Sequence, residues 1–191
     1  MSYRPYRFHL SYSRSLNSSM DKKNVITVFG ASNPESGSRE YEQARAVGRV
    51  LAELGYAVAN GGYGGTMEAS ARGAKEAGGR SIGVTCRLWS RQPNEFIDEV
   101  IATAEYAERL TKLIDLGRSG YVALPGATGT LVELAWVWEH ACKGWWTRPI
   151  ALVGEFWRPL VEMMVAQRAR SDQYVRLVSS AEELREVFPQ Q

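Results

Sequence analysis

Leu124-Pro125-Gly126-Ala127-Thr128-Gly129-Thr130-Leu131-Val132-Glu133 follows a short apolar run and opens a helical stretch. A second segment of the same design, Asn60-Gly61-Gly62-Tyr63-Gly64-Gly65-Thr66-Met67-Glu68, lies earlier in the chain. Each reads as strand, glycine-rich turn, helix. A helix start leaves backbone N–H groups unpaired and carries a partial positive charge. Glycines let an anion come close to that backbone, so each turn predicts a phosphate cradle. Two cradles in one chain point to a phosphorylated ligand of nucleotide type.

Working outward, residues 25–29 form a β-rich run that ends in the loop Gly30-Ala31-Ser32-Asn33-Pro34. Ala44, Val47, Leu51 and Leu54 then recur at helical spacing, and Gly55 stops that helix. Residues 56–59 are a second strand, 66–77 a helix and 81–85 a third strand. Residues 94–116 read as helix, with a break near Thr103. Residues 121–124 are a fourth strand. The helix over 130–143 is apolar on all sides and is expected to be buried. A strand over 149–153, a helix over 157–170, a strand over 174–178 and a short helix over 181–187 complete the chain. Strands that alternate with helices, and are themselves continuous apolar runs, predict an α/β fold. It is a doubly wound parallel sheet with helices on both faces, in a single domain. In such a sheet ligands bind beyond the strands' carboxyl ends, where strand order reverses. Residues 30–33, 61–68 and 126–133 should therefore converge on one crevice.

Composition narrows the function classes. The 191 residues are 45% hydrophobic and 23% charged, with a formal net charge of +2, which argues against a nucleic-acid partner. No apolar run is long enough to cross a membrane. Cys86 and Cys142 stand far apart with no C-x-x-C pair, which suits a reducing cytoplasm. Residues 1–23 stand apart as a basic tail, with Arg4, Arg7 and Arg14 and no acid before Asp21. Their composition resembles a transit peptide, but an apolar signal core is missing. A plain tail, or a start at Met20, are the other readings. The folded domain is expected over 24–191.

Neither turn is a dinucleotide fingerprint or a P-loop, because G-x-G-x-x-G and Gly-Lys-Ser/Thr are absent from them. No His, Cys and acid spacing supports a metal site, and the sequence calls for no cofactor. In the second turn, Gly126, Thr128, Gly129 and Thr130 are the candidate phosphate ligands. Glu133, one turn inside the helix, would reach a sugar; alternatively it closes a capping box with Thr130. Leu131, Leu134, Trp136 and Trp138 surround it, and desolvation would suit it to proton transfer or hydroxyl binding. Gly30, Ser32, Gly62, Gly64, Gly65, Thr66 and Glu68 are the candidates from the earlier loops. Glu68 also reads simply as an acid at a helix N-terminus. His140 and the pair Trp145-Trp146 read as core or interface residues.

The block from Pro125 to Glu133 resembles the P-G-G-x-G-T-x-x-E signature of the LOG family, the cytokinin-activating phosphoribohydrolases often mislabelled lysine decarboxylases. The block from Gly61 to Ala69 is similar to that family's other glycine motif, and residues 28–32 to its first strand and turn. The resemblance covers roughly residues 25–165. It implies a Rossmann-like fold, commonly a homodimer, and cleavage of a nucleoside 5′-monophosphate to free base and ribose 5-phosphate. Glu133 matches the family's catalytic glutamate, and Arg109, in Glu108-Arg109-Leu110, matches its arginine. Three positions depart from the pattern. Ala127 replaces a glycine, Arg109 lies one residue further from the proline, and Glu68 stands where many members carry glycine. The wider superfamily includes molybdenum-cofactor carriers and nucleotide sensors, which bind without hydrolysing.

Overall fold

The computed structural model describes residues 24–191, so the basic tail lies outside the described residues. The chain runs β1 (Val25–Phe29), α1 (Arg39–Glu53), β2 (Ala57–Asn60), α2 (Thr66–Glu76), β3 (Ser81–Cys86), β4 (Glu99–Thr103), α3 (Tyr106–Leu116), β5 (Gly120–Ala123), α4 (Thr128–Cys142), β6 (Ile150–Val153), α5 (Arg158–Gln167), β7 (Arg176–Val178) and α6 (Leu184–Val187). The seven strands form one sheet in the order β4-β3-β2-β1-β5-β6-β7, and every pairing is parallel. This is the doubly wound α/β architecture expected from the alternation of elements.

Both faces of the sheet are covered, which is why the central strands are almost wholly apolar, with Thr27 and Asn60 as buried polar exceptions. Ile26 and Val28 pack with Val47, Leu51 and Leu184 under α1, α2 and α6. Val25 and Phe29 pack with Leu113, Leu134, Val137 and Val161 under α3, α4 and α5. Thr27 is buried among them and donates its hydroxyl to the Leu113 carbonyl at 2.8 Å. Strand order reverses between β1 and β5, and the loops after those strands flank a crevice at the sheet's carboxyl edge.

Two expectations are corrected. Residues 94–116 are not one helix; strand β4 precedes α3. Ile97, Val100, Ile101 and Ala104 fall at helical spacing, but β4 is an edge strand whose residues are only partly covered. Ser81 pins it, donating its N–H to Asp98 Oδ2 at 2.9 Å and its hydroxyl to the Phe96 carbonyl at 2.6 Å. Helix α4 is also not buried all round. Leu134, Val137, Trp138 and Ala141 face the sheet, while Leu131, Val132 and Trp136 are exposed, because the sheet covers only one side. Among the described residues no helix is long and apolar enough to cross a membrane.

Helices α1 and α2 cross with their backbones in contact. A Cβ on Gly48 would strike the Ser70 carbonyl, and one on Gly73 the Arg45 carbonyl. Helix propensity alone favours alanine over glycine by about 1 kcal/mol. The crossing reverses the sign, and Gly48→Ala is expected to destabilise the fold by about 1–3 kcal/mol through overpacking. Chemical denaturation checks this, and a more stable variant would contradict the close crossing.

Candidate functional site

A cavity of about 890 Å³ opens at the reversal point. Its walls come from Gly30–Asn33 after β1, from Gly61, Tyr63 and Met67 after β2, and from Leu88–Arg91 after β3. Tyr106 and Arg109 of α3 and Ala127, Gly129, Thr130 and Glu133 at the start of α4 complete it.

The start of α4 is an open helix end. No side chain caps Ala127, and the first bond of the helix runs from the Leu131 N–H to the Ala127 carbonyl at 3.0 Å. The N–H groups of Thr128, Gly129 and Thr130 therefore lack intrahelical acceptors, as at any helix start. Thr130 lies within the first turn and not at the N-cap, so it forms no capping box with Glu133. Ala127 has φ −92° and ψ −156°, extended backbone that carries a methyl group without strain. The replaced glycine of the motif thus imposes no left-handed conformation here.

Arg109 and Glu133 meet in the cavity floor. Both are buried, at 6% and 9% exposure. Arg109 Nε donates to the Val84 carbonyl at 2.8 Å and Nη2 to the Gly61 carbonyl at 3.2 Å. Its guanidinium carbon lies 5.7 Å from the Tyr63 ring centre and 5.1 Å from that of Trp89. Gly61 is required for this packing, since a Cβ there would occupy the guanidinium's space. Nη1 remains and stands 3.9 Å from Glu133 Oε1, an electrostatic contact too long for a hydrogen bond. Burial pushes the Glu133 carboxyl up to about 7, against the opposing pull of Arg109. Near neutral pH the group exchanges readily between its charged and neutral forms. The carbonyls of Val84 and Gly61 occupy the Nε–Nη2 edge of the guanidinium, one of the two edges with which an arginine can grip phosphate.

The other expected residues divide into two groups. Gly30, Ser32, Gly129 and Thr130 line the cavity, whereas Gly62, Gly64, Gly65, Thr66, Glu68, Gly126 and Thr128 do not. Thr66 gives both its N–H and its hydroxyl to the Ala31 carbonyl, at 2.9 and 3.0 Å. That carbonyl takes the place at the start of α2 where an anion was expected. Gly65, at φ +70°, brings α2 against residues 31 and 32 closely enough for this. Glu68 turns to α1 and accepts from the Tyr41 hydroxyl at 2.8 Å. Gly126 leaves room for the Thr130 side chain, and Thr128 is exposed. His140 is not in the core; its ring stacks on Trp146 at 4.5 Å, beside the exposed Trp145. Neither tryptophan of that pair lines the cavity.

Tyr63 and Met67 fall within the 61–68 segment expected at the crevice, whereas sequence reasoning missed Tyr106 and the wall from Leu88 to Arg91. The turn after the third strand emerges at the same edge as the others, and an aromatic residue within it was the available signal.

The sequence profile described as the SLOG cluster4 family matches residues 23–184. An uncharacterized protein of Archaeoglobus fulgidus is 36% identical over 110 residues, 58% of this chain and 70% of that one. A cytokinin riboside 5′-monophosphate phosphoribohydrolase of Mycobacterium tuberculosis is 29% identical over 132 residues, 68% of this chain and 70% of its own. Among solved structures, the molybdenum cofactor binding protein of Rippkaea orientalis shares the fold, with a TM-score of 0.71 at 24% identity. That match covers 86% of this chain and 94% of the other.

The Glu133 environment has a consequence for stability. A carboxyl whose pKa is raised on folding contributes fully below its ordinary value of 4.5 and loses that contribution as pH rises through about 7. Glu133→Gln is therefore expected to gain stability over the wild type as pH climbs from 4.5 to 8. At the upper end the gain is on the order of 3 kcal/mol at most. Melting curves at several pH values read it, and a difference that stays flat with pH contradicts the buried carboxyl.

Proposed function

The chain belongs to the SLOG cluster4 family, and from that membership we propose that it hydrolyses the N-glycosidic bond of a nucleoside 5′-monophosphate, releasing free base and ribose 5-phosphate. The observation that carries this reading is the buried Arg109–Glu133 pair one helical turn from the open start of α4. The 5′-phosphate sits at the N–H groups of Gly129 and Thr130, where the helix end favours an anion. Gly30 and Ser32 close the opposite wall. The ribose then lies over Glu133. As the bond from C1′ to the base nitrogen breaks, positive charge develops on the sugar and the Glu133 carboxylate stabilises it. The same carboxylate takes a proton from the attacking water, whose oxygen bonds to C1′, and that proton passes through solvent to the departing base nitrogen. Arg109 acts on Glu133: its Nη1 aligns the carboxylate and holds part of it ionised despite burial. The relatives named phosphoribohydrolases support the reading. A cytoplasmic homodimer belongs to the same proposal, with the exposed Leu131, Val132 and Trp136 of α4 as a surface for the second copy.

A second reading is a carrier that binds a nucleotide or molybdopterin without turnover. The fold likeness to molybdenum cofactor binding proteins favours it.

The test is incubation with AMP, GMP, CMP, UMP and isopentenyl-adenosine monophosphate, followed by chromatography for free base. The expected result is base release that Glu133→Gln reduces by at least about 100-fold, the usual scale for a general base, with ligand affinity little changed. Because the carboxylate is the active form, kcat/KM should rise with pH through about 7. Full activity in Glu133→Gln removes that residue from the mechanism. Tight binding without any product supports the carrier.

A further inference from the structure

The cavity wall after β3 has no role in the chemistry above, yet it is rigidly built. The Trp89 backbone N–H donates to the Cys86 carbonyl at 3.2 Å, and the Trp89 carbonyl accepts from the Arg91 backbone N–H at 2.7 Å. Asn94 ties the loop to the first glycine turn, giving its side-chain N–H to the Tyr63 carbonyl at 2.8 Å. Tyr63 in turn accepts from the Cys86 N–H at 2.8 Å. A loop fixed at both ends still leaves Trp89 38% exposed at the cavity. With the exposed Leu88 and Tyr106 beside it, Trp89 forms an apolar patch at the cavity, the kind of patch that marks a binding surface.

The Arg109 guanidinium lies across the face of the indole at 5.1 Å. Tyr63 and Tyr106 meet it at interplanar angles of 65° and 58°, so neither lies flat on it. The cavity thus presents three kinds of group in sequence. First comes the open start of α4, then the Glu133 and Arg109 pair, then an aromatic surface behind that guanidinium. A nucleotide presents phosphate, sugar and base in the same order.

We propose that Trp89 is the platform on which the ligand's base stacks, and that it selects a purine over a pyrimidine. The indole is bicyclic, and a bicyclic base overlaps it more completely than a single ring does. This rests on the reading that phosphate sits at α4, but not on hydrolysis.

Calorimetric titration tests it in Glu133→Gln protein, which holds the ligand without turning it over. The probes are AMP, CMP and ribose 5-phosphate. Adding Trp89→Ala should weaken AMP by roughly 5- to 150-fold, the range for loss of one stacked base. CMP should weaken less, and ribose 5-phosphate not at all. Trp89→Phe should keep most of the AMP affinity, which also separates stacking from misfolding. Unchanged AMP binding overturns the platform. So does equal weakening of AMP and ribose 5-phosphate, which would make Trp89 only a support for Arg109. If none of the three probes binds, the platform and the phosphate site fall together. AMP binding that depends on Trp89, with no adenine released by the wild type, upholds the platform and removes the hydrolase reading.

Discussion

A carboxyl buried beside a fixed guanidinium is the constraint around which this molecule is arranged. Glu133 lies inside the first turns of α4 and Arg109 near the start of α3, on opposite sides of the reversal point. Burying either charge alone would cost several kcal/mol. The fold offsets part of that cost for Arg109 with the Val84 and Gly61 carbonyls and the rings of Tyr63 and Trp89. Glu133 receives much less, a single electrostatic contact at 3.9 Å. That asymmetry leaves its proton loosely held near neutral pH, a useful property at a reacting centre and a poor one for stability alone.

The two glycine turns show how one local design is put to different ends. Both precede helix starts and both lack a side-chain cap. At α2 the Ala31 carbonyl occupies the helix end, which locks the loop after β1 against the sheet edge. At α4 no such carbonyl intervenes, and Gly129 and Thr130 of that helix start line the cavity. The first turn therefore shapes the wall, and the second keeps the unpaired N–H groups of a helix start. Gly61 belongs to the shaping role, because its missing side chain is where the Arg109 guanidinium lies.

Most of the sheet was legible because the central strands, buried on both faces, carry mainly apolar runs followed closely by glycine. The edge strand β4 was not, since Ile97, Val100, Ile101 and Ala104 satisfy a helical period as well as a strand. The exposed side of α4 was not legible either; Leu131 and Trp136 look like core residues until the sheet is seen to cover one face only. For the site, Glu133 stood out by its place in the second turn, and Arg109 through family resemblance, not spacing. Contacts that join distant segments, such as Thr66 with Ala31 or Glu68 with Tyr41, leave no local trace. For the same reason the aromatic wall after β3 went unread.

The central claim is that the fold holds Glu133 at the threshold of ionisation. Carbon-13 NMR of the side-chain carboxyls across pH, with the Glu133 signal assigned by its loss in Glu133→Gln, measures this directly. A titration midpoint near 7 is the predicted result. A midpoint at the ordinary glutamate value of 4.5 would mean that water reaches the group, and the account of the site would fail.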